Sequence, residues 1–448
     1  MQVIEEINAV VNRIVWGKYT LIMLLGIGMF FTVKLKFFPF VHFGTWWKNT
    51  AMSFMKAKKS ETNEKISPFR AMATALAGSI GTGNIVGVAN AIALGGAGAI
   101  FWMWTAAFFG MSTVFAENVL GMKYRIKRNG KYVGGPMYYI ERGMKCKWLA
   151  VIFAVFCTLA AFGMGNMTQA NSVSGALKNG FGISPEISGI ILAVLTGCII
   201  FGGIDRISKL TEKLVPLMAV IYTVVVLIVI GVNFREIPNV FVKILEQAFD
   251  IKAVSGGFMG YGMSRAIKYG ISRGVFSNEA GLGSSPIVHS AADSDEPYKQ
   301  GMWGIFQVFI DTIVMCTLMA LCILTTNADK TGLDGIELST YSFESVLGIV
   351  GNVFISLSIV MFAFATLVSW SYYGERSFEY LTNGKYIKVY RVVYALIVYV
   401  GCVTEISLVW EISDTFNGLM AIPNMIALIL LSKEVNYKEL SDNLLSKR

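Results

Sequence analysis

Residues 77–92 read AGSIGTGNIVGVANAI, in the middle of a long apolar segment. The stretch carries four glycines (Gly78, Gly81, Gly83, Gly87) together with Ser79, Thr82, Asn84 and Asn90. Leucine would serve better in a helix that only had to cross a bilayer, because each interior glycine costs about 1 kcal/mol relative to alanine. Two readings fit. In the first, Gly83 and Gly87 are four apart and let two helices pack closely. In the second, the helix unwinds here. It then exposes amide N–H groups at the start of its second half, which suit a carboxylate, and carbonyls at the end of its first half, which suit a cation. A nucleotide-binding loop is excluded, because no strand precedes the glycines and no βαβ pattern follows.

Working outward, the chain has 448 residues, 54% hydrophobic and 15% charged, with a mean hydropathy of +0.58. Soluble domains carry roughly a quarter charged residues. Apolar stretches long enough to span about 30 Å of hydrocarbon recur along the chain, so it reads as an all-α polytopic membrane protein. Residues 1–17 are mixed and polar with no cleavable signal evident, which leaves insertion to the first apolar run. The six cysteines form no CxxC spacing and read as small buried hydrophobes. With only His42 and His289 present, a histidine-based metal site is not expected. The net charge of +9 reflects basic loops on one membrane face rather than a nucleic-acid partner.

Eleven spans are expected, at about 19–35, 68–95, 99–122, 148–172, 186–203, 213–232, 263–291, 301–325, 343–373, 388–410 and 413–431. Lysine and arginine gather in alternate loops: Lys48 to Lys65, Lys123 to Lys147, Arg206 to Lys213, Arg376 to Arg391, and the C-terminal end. The positive-inside rule then puts the N-terminus outside and the C-terminus in the cytoplasm of a cell-membrane protein. The connection 233–262 breaks the pattern with Arg235, Lys243 and Lys252 outside; within it, VFVKILEQAF reads as a helix lying along the membrane surface.

A second glycine-rich span, GISRGVFSNEAGLGSSPIVHSAA at 270–292, has the same character as the first. With the first span set aside, the two are the first and sixth of ten, so they cross in opposite directions. Paired interrupted spans in corresponding positions of inverted halves point to a secondary transporter. The expected division is therefore 1–67 (N-terminal helix and cytoplasmic loop), 68–232 (first five-helix repeat), 233–262 (extracellular connection), 263–431 (second repeat) and 432–448 (cytoplasmic tail).

Several polar residues stand out against this background. Glu279 is costly at mid-membrane, about 3 kcal/mol on insertion scales, so it is expected to be paired or protonated. Arg273, Lys268 and Arg265 lie upstream, and a structural ion pair competes with a role in coupling. Glu117 and Asp311 carry the same choice between binding a cation and bonding neighbouring helices. Thr366 and Ser369, three apart, share one helix face and offer two hydroxyls to a hard cation, or they bond back to preceding carbonyls. Trp370 is placed to wall off a small substrate. Gln169 either bonds a substrate head group or links two helices.

These residues resemble the alanine or glycine:cation symporters of the amino acid–polyamine–cation group, which have the leucine-transporter fold. The resemblance is carried by GSIGTGNIVGVA (78–89), GGAGAIFWMWTAAFFG (95–110), GGPMYYIERG (134–143) and GVFSNEAGLGSSPIVHSAA (274–292). It implies a 5+5 inverted-repeat core with two broken helices behind an extra N-terminal helix. It also implies sodium-coupled uptake of alanine or glycine, with sodium as co-transported ligand and no further cofactor. On this resemblance the substrate carboxylate falls near Gly81, Thr82 and Gly83, beside Asn84. Sodium falls among Ala77, Ile80, Thr366 and Ser369, and Phe276 and Ser277 face the substrate. Other classes fit less well. A channel needs a continuous polar pore, and an enzyme needs a nucleophile–base pair or a metal motif that the sequence does not offer. Within transporters, a proton-coupled symporter of another small solute is the alternative.

Overall fold

The computed structural model describes residues 2–56, 66–128, 130–249, 259–404 and 406–444. Helix α1 (Gln2–Val15) precedes the first expected span, α2 (Lys18–Lys34). The mixed polarity of residues 1–17 thus belongs to a helix with a docking face. The Trp16 indole N–H donates to the Asp414 carbonyl at 2.8 Å, and the Asn12 amide donates to Thr415 Oγ1 at 3.1 Å.

The opening stretch does unwind. Helix α3 (Pro68–Ser79) starts with Pro68 in its first turn and with the Ser67 hydroxyl accepting from the Arg70 N–H at 3.2 Å. It stops at Ile80. Gly81 is extended, Thr82–Asn84 form one 3₁₀ turn, and α4 (Val86–Gly95) resumes the path. Gly83 lies against the other broken helix, where a Cβ would meet the Ser277 Cα at 3.3 Å. The close-packing reading fails at Gly87, where a Cβ would meet only the Thr82 carbonyl, at 3.9 Å.

Helix α5 (Gly98–Lys123) leads to a hairpin the sequence did not announce, with β1 (Ile126–Arg128) paired antiparallel to β2 (Lys131–Val133). The basic residues of this loop bond rather than simply face solvent. Arg125 donates to the carbonyls of Ser290 (3.2 Å), Ala292 (2.6 Å) and Ser294 (2.6 Å) and stacks 3.7 Å from the Tyr132 ring centre. Beside it, Ile66 and Ala292 form a parallel bridge, and the Asp293 N–H donates to the Ile66 carbonyl at 2.8 Å. The start of the first broken helix and the end of the second are thereby tied together.

Helix α6 (Lys147–Phe162) passes through a π-turn (Gly163–Met167) into α7 (Thr168–Phe181), so this passage runs beyond the expected end at 172. Next come α8 (Pro185–Ile200), α9 (Gly203–Val232) and α10 (Ile237–Phe249). Helix α10 is the amphipathic VFVKILEQAF segment, and it buries Val240, Ile244 and Ala248. Of the 233–262 connection, residues 250–258 lie outside the described residues. The second broken helix is α11 (Met259–Asn278), an irregular turn with positive φ at Glu279 (59°), Gly281 (86°) and Gly283 (81°), then α12 (Ser285–His289). Left-handed conformations at three nearby positions cannot continue a helix, and two of the three are supplied by glycine.

Helix α13 (Pro297–Val308), a π-segment (Phe309–Cys316) and α14 (Thr317–Thr325) form one continuous passage. The ninth expected span, 343–373, is displaced. Helix α15 (Gly335–Leu347) ends at Gly348, whose φ of 59° turns the chain, and α16 (Ile349–Thr382) runs on past the expected end. Helices α17 (Ile387–Val403), α18 (Ile406–Leu430) and α19 (Tyr437–Leu444) complete the chain.

Among the described residues, seven helical stretches are long and apolar enough to cross a membrane. The other four expected spans are the two broken helices and the shorter α8 and α17, of 16 and 17 residues. Length and composition alone therefore do not return the count of eleven. The packing is multi-pass: α5 lies against α2, α11 and α13, α16 against α3, α6 and α7, and α17 against α8. The two breaks meet in the middle of this bundle.

Candidate substrate and cation site

At the end of α3, the carbonyls of Ala77 and Ile80 have lost their helical partners. Thr366 of α16 fills the gap. Its Oγ1 lies 2.9 Å from Ala77 O, 3.4 Å from Ile80 O and 3.1 Å from Phe362 O. One hydroxyl proton serves one acceptor at a time, so these oxygens form a buried cluster of hard ligands without a formal charge. Gly81 makes the approach possible, because a Cβ there would collide with Thr366 Oγ1. Ser369 is not part of the cluster. Its hydroxyl donates to the Thr74 carbonyl at 2.5 Å, one turn earlier in α3.

The exposed amides of the first break carry side-chain partners. The Gly81 N–H donates to Asn84 Oδ1 at 3.0 Å. The Thr82 N–H and hydroxyl both point at Gln169 Oε1, at 3.4 and 3.1 Å, while Gln169 Nε2 donates to the Met164 carbonyl at 3.1 Å. Gln169 thus offers its amide oxygen where the resemblance places a substrate carboxylate oxygen. It links α7 to the break, which is the helix-linking reading.

From the second broken helix, Phe276 is 2% exposed, and the Arg273 guanidinium lies 5.6 Å from its ring centre. The Ser277 hydroxyl donates to Asp311 Oδ2 at 2.9 Å, and the Asn84 amide donates to Asp311 Oδ1 at 2.9 Å. Asn84, Ser277 and Asp311 therefore converge from three elements.

Of the two states expected for Glu279, paired or protonated, pairing with Arg273 or Lys268 is not formed among the described ion pairs. Its carboxylate accepts from the Trp370 indole N–H at 2.8 Å and the Ser284 hydroxyl at 2.5 Å. Arg273 pairs instead with Asp414 of α18, at 3.2 Å. Helical rise explains the difference: at about 1.5 Å per residue, Arg265 and Lys268 lie well up α11 from the turn. Trp370 is fixed by Glu279 and by contact with Gly165, where a Cβ would collide with it. Glu117 bonds neighbouring helices. It accepts from the Asn424 amide at 2.5 Å, and Asn424 also donates to the Gly281 carbonyl at 2.9 Å and accepts from the Tyr139 hydroxyl.

Sequence reasoning missed Asn424, Tyr139 and Cys316, whose sulfur lies 3.4 Å from both Asn84 Nδ2 and Ser277 Oγ. Asn424 had a usable signal, a lone amide following Pro423 within an apolar run.

A multi-pass helical bundle with two interrupted helices meeting at a buried polar centre is the architecture of a membrane transporter. The structure is similar to that of MhsT in complex with L-phenylalanine, with a TM-score of 0.60 and 16% identity over 82% of this chain and 89% of that one. The model of the sodium:alanine symporter family matches residues 1–444. The sodium/alanine symporter AgcS of Methanococcus maripaludis is 45% identical over 442 residues, covering 96% of this chain and 95% of the relative. The protein described as "Probable sodium/glutamine symporter GlnT" of Bacillus subtilis is 41% identical over 437 residues, 97% of this chain and 90% of that one. The chain belongs to the sodium:alanine symporter family. It is a multi-pass amino-acid:cation symporter of the leucine-transporter fold type, not an enzyme.

Proposed function

We propose that the protein imports small neutral amino acids, alanine and glycine, coupled to sodium, by alternating access across the cell membrane. The N-terminus lies outside and the C-terminus in the cytoplasm. The two five-helix repeats span 68–232 and 263–431. The observation that carries the reading is Thr366 Oγ1 seated against the carbonyls of Ala77 and Ile80, beside the glycine-lined break. Sodium among these oxygens ties the first broken helix to α16, with Ser369 supporting from the next turn. The substrate carboxylate docks on the amides of Gly81 to Gly83, displacing the Gln169 oxygen. Phe276, Ser277 and Trp370 bound the remaining space and leave room for a hydrogen or a methyl group. Release runs toward the hairpin end, where a cavity of about 470 Å³ is lined by Ile66, Asp293, Tyr372, Glu375 and Arg376.

The energetics suffice. One sodium entering down about 100 mV supplies roughly 2.3 kcal/mol, and a tenfold gradient adds about 1.4. The sum, about 3.7 kcal/mol, supports an accumulation on the order of 500-fold. The test is uptake of radiolabelled alanine and glycine into proteoliposomes with an inward sodium gradient. Accumulation should require sodium, and uptake unchanged when choline replaces sodium would sink the coupling.

Proton coupling with another small solute is the second reading. Glu279 favours it, because its buried carboxylate has only the neutral donors Trp370 and Ser284.

A further inference from the structure

We propose that a groove at the hairpin end of the molecule binds the headgroup of an anionic phospholipid, with an acyl chain laid along α6. The groove lies between β1, the short helix Pro136–Arg142 and the adjoining ends of α6 and α16, and has a volume of about 380 Å³. Its lining brings together Arg128, Tyr138, Glu141, Lys147, Val151 and Tyr380. The leaflet is the cytoplasmic one, which rests on the orientation proposed above; the binding itself does not depend on that orientation.

Charge selects the headgroup. Arg128 has a long ion pair, 3.7 Å to Glu379, and shares that acid with Arg376. It also bonds the Tyr138 hydroxyl. A guanidinium carries five N–H donors in a fork that matches a phosphate, more than these contacts use. Lys147 is exposed, and neither it nor its neighbours Arg142 and Lys145 forms an ion pair among the described residues. Glu141 is the acid of the lining, and it is engaged, accepting from the Tyr380 hydroxyl at 2.9 Å. Tyr380 stands edge-on to Tyr138 with ring centres 5.5 Å apart, and the pair walls the groove. Bases in excess of one engaged acid, at a membrane surface, favour an anionic headgroup.

The apolar continuation of the groove identifies the anion as a lipid. Val151 lines the groove and begins a series with Val155 and Leu159, which are 37%, 38% and 37% exposed. Residues four apart share a helix face, so the three form a stripe about 12 Å long, leading from the bases along the span. Trp148, 66% exposed at the start of α6, is placed as an anchor at headgroup level. A soluble phosphate compound would use the bases and leave the stripe uncovered. A bound lipid would touch the hairpin through Arg128, close in sequence to the Arg125 that holds the carbonyls of Ala292 and Ser294.

The experiment is native mass spectrometry of the purified full chain in detergent, titrated with dioleoylphosphatidylglycerol or dioleoylphosphatidylcholine. Two bases at a membrane surface should make the anionic lipid bind about 25-fold more tightly. Arg128→Gln and Lys147→Gln should each weaken its binding about fivefold and leave phosphatidylcholine binding unchanged. Lys438→Gln removes an exposed base of α19, which Glu439 ties to Lys123 at the same end of the molecule, and should change neither. Equal affinity for the two lipids would overturn the site. So would unchanged phosphatidylglycerol binding in either groove variant, or an equal loss in Lys438→Gln. Glycerol phosphate, which lacks the chains, should bind at least about 100-fold more weakly than the lipid. An affinity matching the lipid's would assign the groove to a soluble anion and overturn the proposal. If Arg128→Gln does not fold, Lys147→Gln decides alone. Failure of the sodium-coupled reading would leave these results untouched, since neither a sodium gradient nor an amino acid enters the measurement.

Discussion

The two interrupted helices solve one backbone problem by opposite means. The first, at Ile80 to Asn84, contains no charge, and its free amides are met by the neutral side chains of Asn84 and Gln169. The second, at Glu279 to Ser284, is built around carboxylates. Glu279 reaches Trp370 on α16, while Glu117 acts through Asn424 on the Gly281 carbonyl. Neutral caps can be displaced by a ligand, whereas buried carboxylate bonds are costly to break. The first break is therefore suited to exchanging partners and the second to staying put while its surroundings move.

Four substitutions test that contrast, from the largest expected effect to the smallest. Gly81→Ala forces a methyl group into Thr366 Oγ1, and a displacement on the order of 1 Å should cut alanine uptake about 100-fold. Near-native uptake would show that the first break does not need its close approach to α16. Glu279→Gln keeps an oxygen for the Trp370 N–H but replaces a charged acceptor with a neutral one. It should lower uptake about tenfold with an unchanged sodium activation curve. A shifted sodium curve would move coupling to the second break. The smallest effects compare two hydroxyls on α16. Thr366→Ala should raise the sodium concentration for half-maximal uptake about tenfold at unchanged alanine affinity in saturating sodium. Ser369→Ala, whose hydroxyl bonds only Thr74, should raise it by less than about threefold. Equal effects would put Ser369 in the cluster after all.

The sequence made the breaks legible because glycine and small polar residues in an apolar span have few other physical explanations. It also brought Thr366 to Ala77 and Ile80, through a resemblance rather than through spacing. For Glu279 it left pairing and protonation both open and could not name the partners. The partners that satisfy this carboxylate, an indole N–H and a hydroxyl, are far apart in sequence or uninformative by type. The Asn84–Asp311 bond could not be read at all, because it joins residues 227 apart and depends on the register of a π-segment. The displaced ninth span has a local cause. Gly348 could have been tolerated within a helix, and only the packed structure selects its positive φ.

The bridge between Ile66 and Ala292 has an evolutionary consequence. The bond that fastens the two broken helices together, Asp293 N–H to Ile66 carbonyl, is made by main chain alone, and Arg125 reinforces it mostly through carbonyls. Main-chain bonds do not depend on which side chains their residues carry. The fastening at that end is thus insulated from substitutions around Gly81, Phe276 and Trp370. Under the proposed function, substitutions that change cargo preference leave this main-chain fastening in place.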